Sequence, residues 1–188
     1  MKPKPVEHAI VLIKPGYSNR LKEIRSRLEK HGKILLEGKV RLSPKEAEEF
    51  YVIHDGKPFQ QTLVDYMVSG EVPFLIVSNK PGKKYNDASF RQWMREHIIG
   101  ATDPIEAAPG TIRYDMGDRT PDVEDKIKNK EIKKKRMQNV VHFTAADEDP
   151  YYEIGVILRA SGWFDALPEQ AKRKEDLRIL LAKLTPKK

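Results

Sequence analysis

Cysteine is absent from the 188 residues, which excludes disulfides, thiolate metal centres and a cysteine nucleophile. Long apolar runs are absent too: nothing approaches the roughly 20 residues that a helix needs to cross a bilayer. The opening MKPKPVEH lacks the apolar stretch of a secretory signal. Neither GxxxxGK[ST] nor GxGxxG occurs, so a nucleotide site of the usual glycine-loop kind is excluded. The five histidines, His8, His31, His54, His97 and His142, form no HExxH pair and no His/Cys cluster, so their spacing predicts no metal centre. Aromatic residues do not interleave with the two most basic stretches, and a stacking platform for single strands is therefore not evident. These absences leave a soluble cytoplasmic protein with no membrane partner as the expectation.

What is present fits one domain of ordinary size with a tail or an insertion. Apolar residues at 39 % and charged residues at 34 % allow one core under an unusually wet surface. The formal charge of +7 attracts polyanions, including nucleic acid and phosphorylated small molecules. Much of that excess sits in the runs 126–136 and 172–188, where acidic residues are mixed in.

Hydropathy patterning predicts alternating strands and helices. HAIVLIKPG is a short apolar strand ending at Lys14-Pro15-Gly16. Leu21, Ile24 and Leu28 then recur at helical spacing, with Gly32 as the expected C-cap. KILLEGKVRL reads as a second strand. Ser43, Pro44 and Glu46 open a helix as cap, first residue and capping-box partner. PFQQTLVDYMVSG is another helix, VPFLIVS a third strand, and residues 87–98 a helix capped at Gly100. QNVVHFTA supplies a fourth strand and YYEIGVILRA a helix. Residues 169–184 form an amphipathic helix with Leu177, Leu180 and Leu181 as its stripe. In a chain this short the alternation predicts an α/β or α+β sandwich on about four strands.

Phosphate-binding residue types are present but scattered. Lys14 ends the first strand, Thr102 lies in a Pro- and Gly-rich loop, and Arg113 follows in PGTIRYD. Arginine and lysine are the natural partners of phosphate oxygens. Asn139 stands three residues before His142 in QNVVHFTAADED. A lone histidine at a strand end is ordinarily a partly buried structural residue. Glu153, eleven residues on, changes what His142 could do. A carboxylate there can accept one imidazole N–H and leave the other nitrogen as a base or nucleophile.

These blocks, taken in order, resemble the nucleoside diphosphate kinases. AIVLIKPG is similar to the family's first strand and its lysine, and FYVIHDGKPFQQTLVDYMVSGEVPFLIV to its nucleotide-clamping helix pair and the strand behind. GATDPIEAAPGTIRYD is close to GATNP…PGTIRGD, and QNVVH to the active-site strand (R)NVVHGSD. The resemblance implies a ferredoxin-like α+β sandwich, a four-stranded antiparallel sheet covered by helices, over residues 1–160. It implies ping-pong phosphoryl transfer between nucleoside triphosphates and diphosphates through a phosphohistidine at His142, with Glu153 holding the ring. Lys14 and Arg113 would bind phosphates, Thr102 would contact them, Asn139 would meet the sugar hydroxyl, Phe59 would stack on the base and Tyr51 would brace the site. Mg²⁺ would arrive with the nucleotide, and the chain would assemble into hexamers or tetramers.

The departures are local. Phe143-Thr144-Ala145-Ala146 stands where the family has GSDS, and the family's phosphate-binding arginine falls on Glu96. Arg95 is adjacent, about 100° round an α-helix. The segment after Lys14-Pro15 is shortened, and Arg113 and Asn139 are 26 residues apart because a charged insertion runs from about 117 to 137. Residues 161–188 form a C-terminal extension. A catalytically weak kinase-like module that binds nucleotides, or nucleic acid through the basic insert, is the alternative expectation.

Overall fold

A computed structural model describes residues 5–86, 88–119, 139–166 and 175–184. Four strands, β1 (His8–Ile13), β2 (Gly32–Val40), β3 (Val72–Asn79) and β4 (Val141–Phe143), lie in the order β2-β3-β1-β4. Every neighbouring pair is antiparallel. The main helices are α1 (Leu21–Glu29), α2 (Pro44–Phe50), α3 (Gln60–Val68), α4 (Phe90–Met94, continued by a π-helical turn Arg95–Ile99), α5 (Ile112–Met116), α6 (Pro150–Ala160), α7 (Trp163–Ala166) and α8 (Glu175–Leu184). This is the expected ferredoxin-like α+β sandwich.

All six residues of β1 are buried, because the sheet is covered on both faces and successive side chains point to opposite ones. Ala9, Val11 and Ile13 pack with Ile24 and Leu28 of α1 and with Phe90 and Met94 of α4. Ile10 and Leu12 pack with Phe50 of α2, Leu63 and Met67 of α3, and Ile154 of α6. The α1 stripe therefore lands as its spacing predicts, but Gly32 is not its cap: Lys30 is, and Gly32 opens β2. A Cβ at Gly32 would meet Ser78 O at 3.1 Å and the Phe90 ring at 3.2 Å, so close packing on α4 is the reason for glycine there.

The capping box of α2 forms as expected. Ser43 Oγ accepts the Glu46 N–H at 3.3 Å, and Glu46 Oε2 accepts the Ser43 N–H at 2.8 Å. Because α2 ends on Tyr51, the cap also steadies the site below. Ser43→Ala is expected to lower stability by about 1 kcal/mol, read as a shift in the denaturant midpoint at unchanged slope.

Two elements depart from the sequence expectation. The helix expected over 87–98 begins at Phe90 with Ser89 as cap, and its last turn is π rather than α; residue 87 lies outside the described residues. The fourth strand is only Val141–Phe143. Of the insertion at 117–137, residues 120–137 lie outside the described residues, as do 169–174 of the amphipathic helix. In α8, Leu177 and Leu180 are buried and Leu181 is half-buried. Lys183 Nζ ties that helix down, donating to Tyr151 Oη at 2.7 Å and to Val6 O at 3.1 Å.

Candidate active site

β4 carries His142 opposite Leu12 of β1. Val141 and Phe143 face the α1/α4 side of the sheet, so alternation turns His142 to the other side. There its ring meets Phe50 and Tyr51 edge-on, with centroids 4.9 and 5.8 Å away. The strand is short because Val140 adopts φ +71, a conformation a β-branched residue rarely takes. Val141 N–H donates to Asn139 O at 2.8 Å, closing a γ-turn centred on Val140. Such strain costs on the order of 1–3 kcal/mol and tends to sit at functional sites. Here it bends the chain beside β1, where Val140 O accepts the Lys14 N–H at 2.9 Å.

Glu153 comes from the first turn of α6, which is capped by Asp149 and opened by Pro150. Its Oε1 lies 2.8 Å from His142 Nε2, although the approach is off the line of a hydrogen bond. Its Oε2 accepts from Thr144 Oγ1 at 2.6 Å, and Thr144 Oγ1 itself accepts the Ile10 N–H at 3.0 Å. Thr144 thus ties the carboxylate to the sheet. With Nε2 turned to Glu153, Nδ1 is the nitrogen left for chemistry.

Two cations are buried nearby. Lys14 is 5 % exposed and Arg113 3 %. Burial, and then the charge of Arg113, push the Lys14 ammonium down to about 7. Arg113 donates from Nη1 to Gly100 O at 3.1 Å and from Nη2 to Val141 O at 2.9 Å. It forms no ion pair among the described residues. Burial and then Arg95 press its pKa down. A buried guanidinium with no counter-charge among the described residues is costly, so Arg113 is suited to receive an anion. Asn139 Nδ2 donates to Thr102 O at 2.7 Å while its Oδ1 has no partner. The Tyr51 hydroxyl and Arg113 Nε, both buried, also lack one among the described residues.

The fold supplies an arginine that register alone withheld. Gly100 N–H donates to Arg95 O at 2.9 Å, an i→i+5 bond that inserts one extra residue into the last turn of α4. Arg95 is thereby swung toward the loop, and its Nη2 donates to Thr102 Oγ1 at 2.6 Å. Glu96 is exposed and pairs with Gln92 at 3.0 Å. No sequence signal marks a π turn.

Phe59, half-exposed, does not reach His142 directly. It packs edge-on against His54 at 5.1 Å, and His54 stacks on Tyr51 at 6.0 Å, so a row of rings runs from Phe59 to the histidine. His54 and Glu148 were missed from sequence. Glu148 joins His142 and Glu153 in a group whose ligand atoms lie within 4.8 Å of one another, although histidine spacing predicted no such set.

Fold and site together define a class: a ferredoxin-like α+β domain with a histidine–carboxylate pair beside a buried arginine. The chain belongs to the nucleoside diphosphate kinase family, whose family model matches residues 7–162. A nucleoside diphosphate kinase of Staphylothermus marinus is 36 % identical over 156 residues, covering 81 % of this chain and 93 % of that protein. One from Chlamydia abortus is 40 % identical over 116 residues, or 60 % of this chain and 76 % of that protein. Among solved structures, the Aquifex aeolicus nucleoside diphosphate kinase superposes with TM-score 0.62 at 28 % identity, covering 81 % of this chain and 95 % of its own. The Halobacterium salinarum nucleoside diphosphate kinase in complex with CDP gives TM-score 0.62 and 28 % identity, covering 81 % of this chain and 87 % of its own.

Proposed function

We infer that the protein is a nucleoside diphosphate kinase whose nucleophile is His142. The observation that carries this reading is His142 set against the Glu153 carboxylate and the Tyr51 ring, with buried Arg113, which has no ion pair among the described residues, bonded to the carbonyl of neighbouring Val141. In the first half-reaction the Nδ1 lone pair attacks the γ-phosphorus, the bond to the β–γ bridging oxygen breaks, and the diphosphate leaves with that electron pair. Glu153 holds the Nε2 side and stabilises the positive ring. In the second, a terminal oxygen of an acceptor diphosphate attacks the phosphorus and the P–N bond breaks. Lys14, Arg113 and Arg95 stabilise charge on the transferring group; Thr102 and Asn139 orient phosphate and sugar. Phe59 offers the base a face that does not read its identity. Mg²⁺ enters as part of the substrate, carried on the phosphates, because a hard cation prefers oxygen ligands and keeps most of its water.

The weak-module alternative is not favoured: Thr144 still secures Glu153, and the π turn brings Arg95 to the loop. We propose a homo-oligomer, hexamer or tetramer, in the cytoplasm. The unpaired edge of β2 and the exposed Ile105 are surfaces for such assembly. Nucleic acid binding through the insert is retained as a proposal that concerns residues outside those described. No described helix is long and apolar enough to cross a membrane.

The test is incubation with a γ-labelled nucleoside triphosphate. Acid-labile, base-stable label should appear on the chain and leave when a nucleoside diphosphate is added; no label, with nucleotide binding intact, rejects the reading. A second measurement separates Arg95 from Glu96. Arg95→Ala is expected to lower kcat/KM about 10–100-fold, the loss of one charge-assisted phosphate contact, whereas Glu96→Ala changes it less than about twofold.

Lys14 also sets a pH dependence. Its pKa is lowered from 10.5 to about 7, so between those values the unfolded chain binds more protons than the native one. The empty protein therefore gains stability as pH rises through that window. A bound polyphosphate restores the ammonium, so nucleotide affinity should fall as pH rises above about 7. Calorimetry at pH 8 in buffers of different ionisation enthalpy should show uptake of up to about one proton, absent in Lys14→Met. Proton uptake unchanged in that variant would assign the effect elsewhere.

A further inference from the structure

Glu148 has no part in the phosphoryl-transfer scheme, yet its place is closely fixed. It lies half-buried in the loop between β4 and α6. Its Oε2 accepts the Ala145 N–H at 2.6 Å. Arg91 Nη1 clamps both ends of that loop, donating to Ala145 O at 2.7 Å and to Glu148 O at 2.6 Å. The second carboxylate oxygen has no hydrogen bond among the described residues. This clamp brings Glu148 to the nucleophile: one ring nitrogen of His142 and one oxygen each from Glu148 and Glu153 lie within 4.8 Å of one another.

An independent observation points to a ligand at the same place. Tyr51 is 3 % exposed, its hydroxyl has no partner among the described residues, and its ring stands edge-on to His142. The charges of Glu153 and Glu148 both act on it. One imidazole and two carboxylates, with a buried hydroxyl to receive a coordinated water, is a borderline donor set. It suits Zn²⁺ or Co²⁺ at about 2.0–2.2 Å per ligand. Mg²⁺ prefers oxygen alone and keeps most of its water.

We propose that His142, Glu148 and Glu153 form an inhibitory site for a transition-series divalent cation of the Zn²⁺ class, whose binding silences the nucleophile. A neutral imidazole has one N–H and one lone pair. In the transfer reaction Nε2 keeps the hydrogen toward Glu153, and the Nδ1 lone pair attacks. A cation on Nε2 binds the lone pair of the other tautomer, so the single ring hydrogen moves to Nδ1, which then has no lone pair to offer. A cation on Nδ1 takes the lone pair directly. Either way phosphoryl transfer stops, and phosphorylation on Nδ1 in turn excludes a cation from that nitrogen. Metal binding stands without the kinase reading; its inhibitory consequence rests on it.

The full chain is titrated with Co²⁺ and followed by visible absorption, and Zn²⁺ is then used to displace it. One Co²⁺ per chain is expected, with the intense bands of a low-coordinate site, undiminished by millimolar Mg²⁺. His142→Ala should abolish that spectrum. Glu148→Gln should weaken binding roughly 10–100-fold, and Glu148→Asp, which keeps a carboxylate, should weaken it less. Circular dichroism confirms that each variant is folded. In parallel, Zn²⁺ should block labelling of the wild type reversibly by chelator, and Glu148→Gln should need correspondingly more Zn²⁺. Co²⁺ binding that survives both His142→Ala and Glu148→Gln overturns the site, as does a spectrum that Mg²⁺ displaces. A chain that binds Co²⁺ as expected but never takes label keeps the metal site and loses the kinase reading. Labelling with no dependence of metal binding on Glu148 does the reverse.

Discussion

His142→Ala should take no label from a γ-labelled nucleoside triphosphate, and nucleotide-to-nucleotide transfer should fall by roughly 10³-fold or more, the scale on which loss of a covalent nucleophile acts. No other described histidine can stand in. His54 stacks on Tyr51 and makes no ion pair with Glu153 among the described residues. His8 is fully buried at the start of β1, against Tyr151, with its pKa pushed down to about 4 by burial and then by Lys183. The truncation leaves a space edged by Phe50 and Tyr51, so added imidazole should restore part of the transfer. Because His142 contributes edge-on packing against Phe50 and Tyr51 rather than a hydrogen bond that the fold depends on, nucleotide binding should survive. Labelling of the variant at the wild-type level would place the nucleophile elsewhere.

Arg113→Met should lower kcat by about 10²–10³-fold while moving the melting temperature far less than its contacts suggest. Two effects oppose each other in the empty protein. Gly100 O and Val141 O lose their donors, at about 1–3 kcal/mol each for groups that stay buried. Removing a buried guanidinium that has no carboxylate partner among the described residues recovers desolvation of comparable size. Methionine fills the volume, so no large cavity adds to the loss. The decisive readout is ligand-dependent. Nucleotide raises the wild-type melting temperature according to its occupancy, and that shift should largely vanish in the variant. A variant that melts far lower yet keeps full nucleotide stabilisation would make Arg113 a structural strut instead.

Much of this was legible beforehand, for identifiable reasons. The stripe Ile24 and Leu28, the run from Ala9 to Ile13 and the trio Leu63, Val64 and Met67 are buried as their spacing predicts, because burial of a face is written in period. The capping box at Ser43 and Glu46 is a contact within one turn and depends on little else. Two features of the site were not legible. Val140 reads as a strand residue by side chain, and only its place beside β1 holds it at φ +71. Arg95 was placed by α-helical geometry about 100° away from where a phosphate-binding arginine is needed, and one added residue in the turn, seen in the Gly100–Arg95 bond, corrected the aim.

The sequence by itself determined the order of strands and helices, through local periodicity, and the family, through motif blocks that resemble it and imply that Glu153 meets His142. Tertiary structure alone decided which charges lose water and which meet. Lys14, Arg113 and Arg95 come from three distant segments, and Glu148 is an unremarkable acid in a charged loop until Arg91 clamps it beside the histidine. Desolvation and the field at a group depend on what surrounds it in space, and neighbours along the chain carry little information about that.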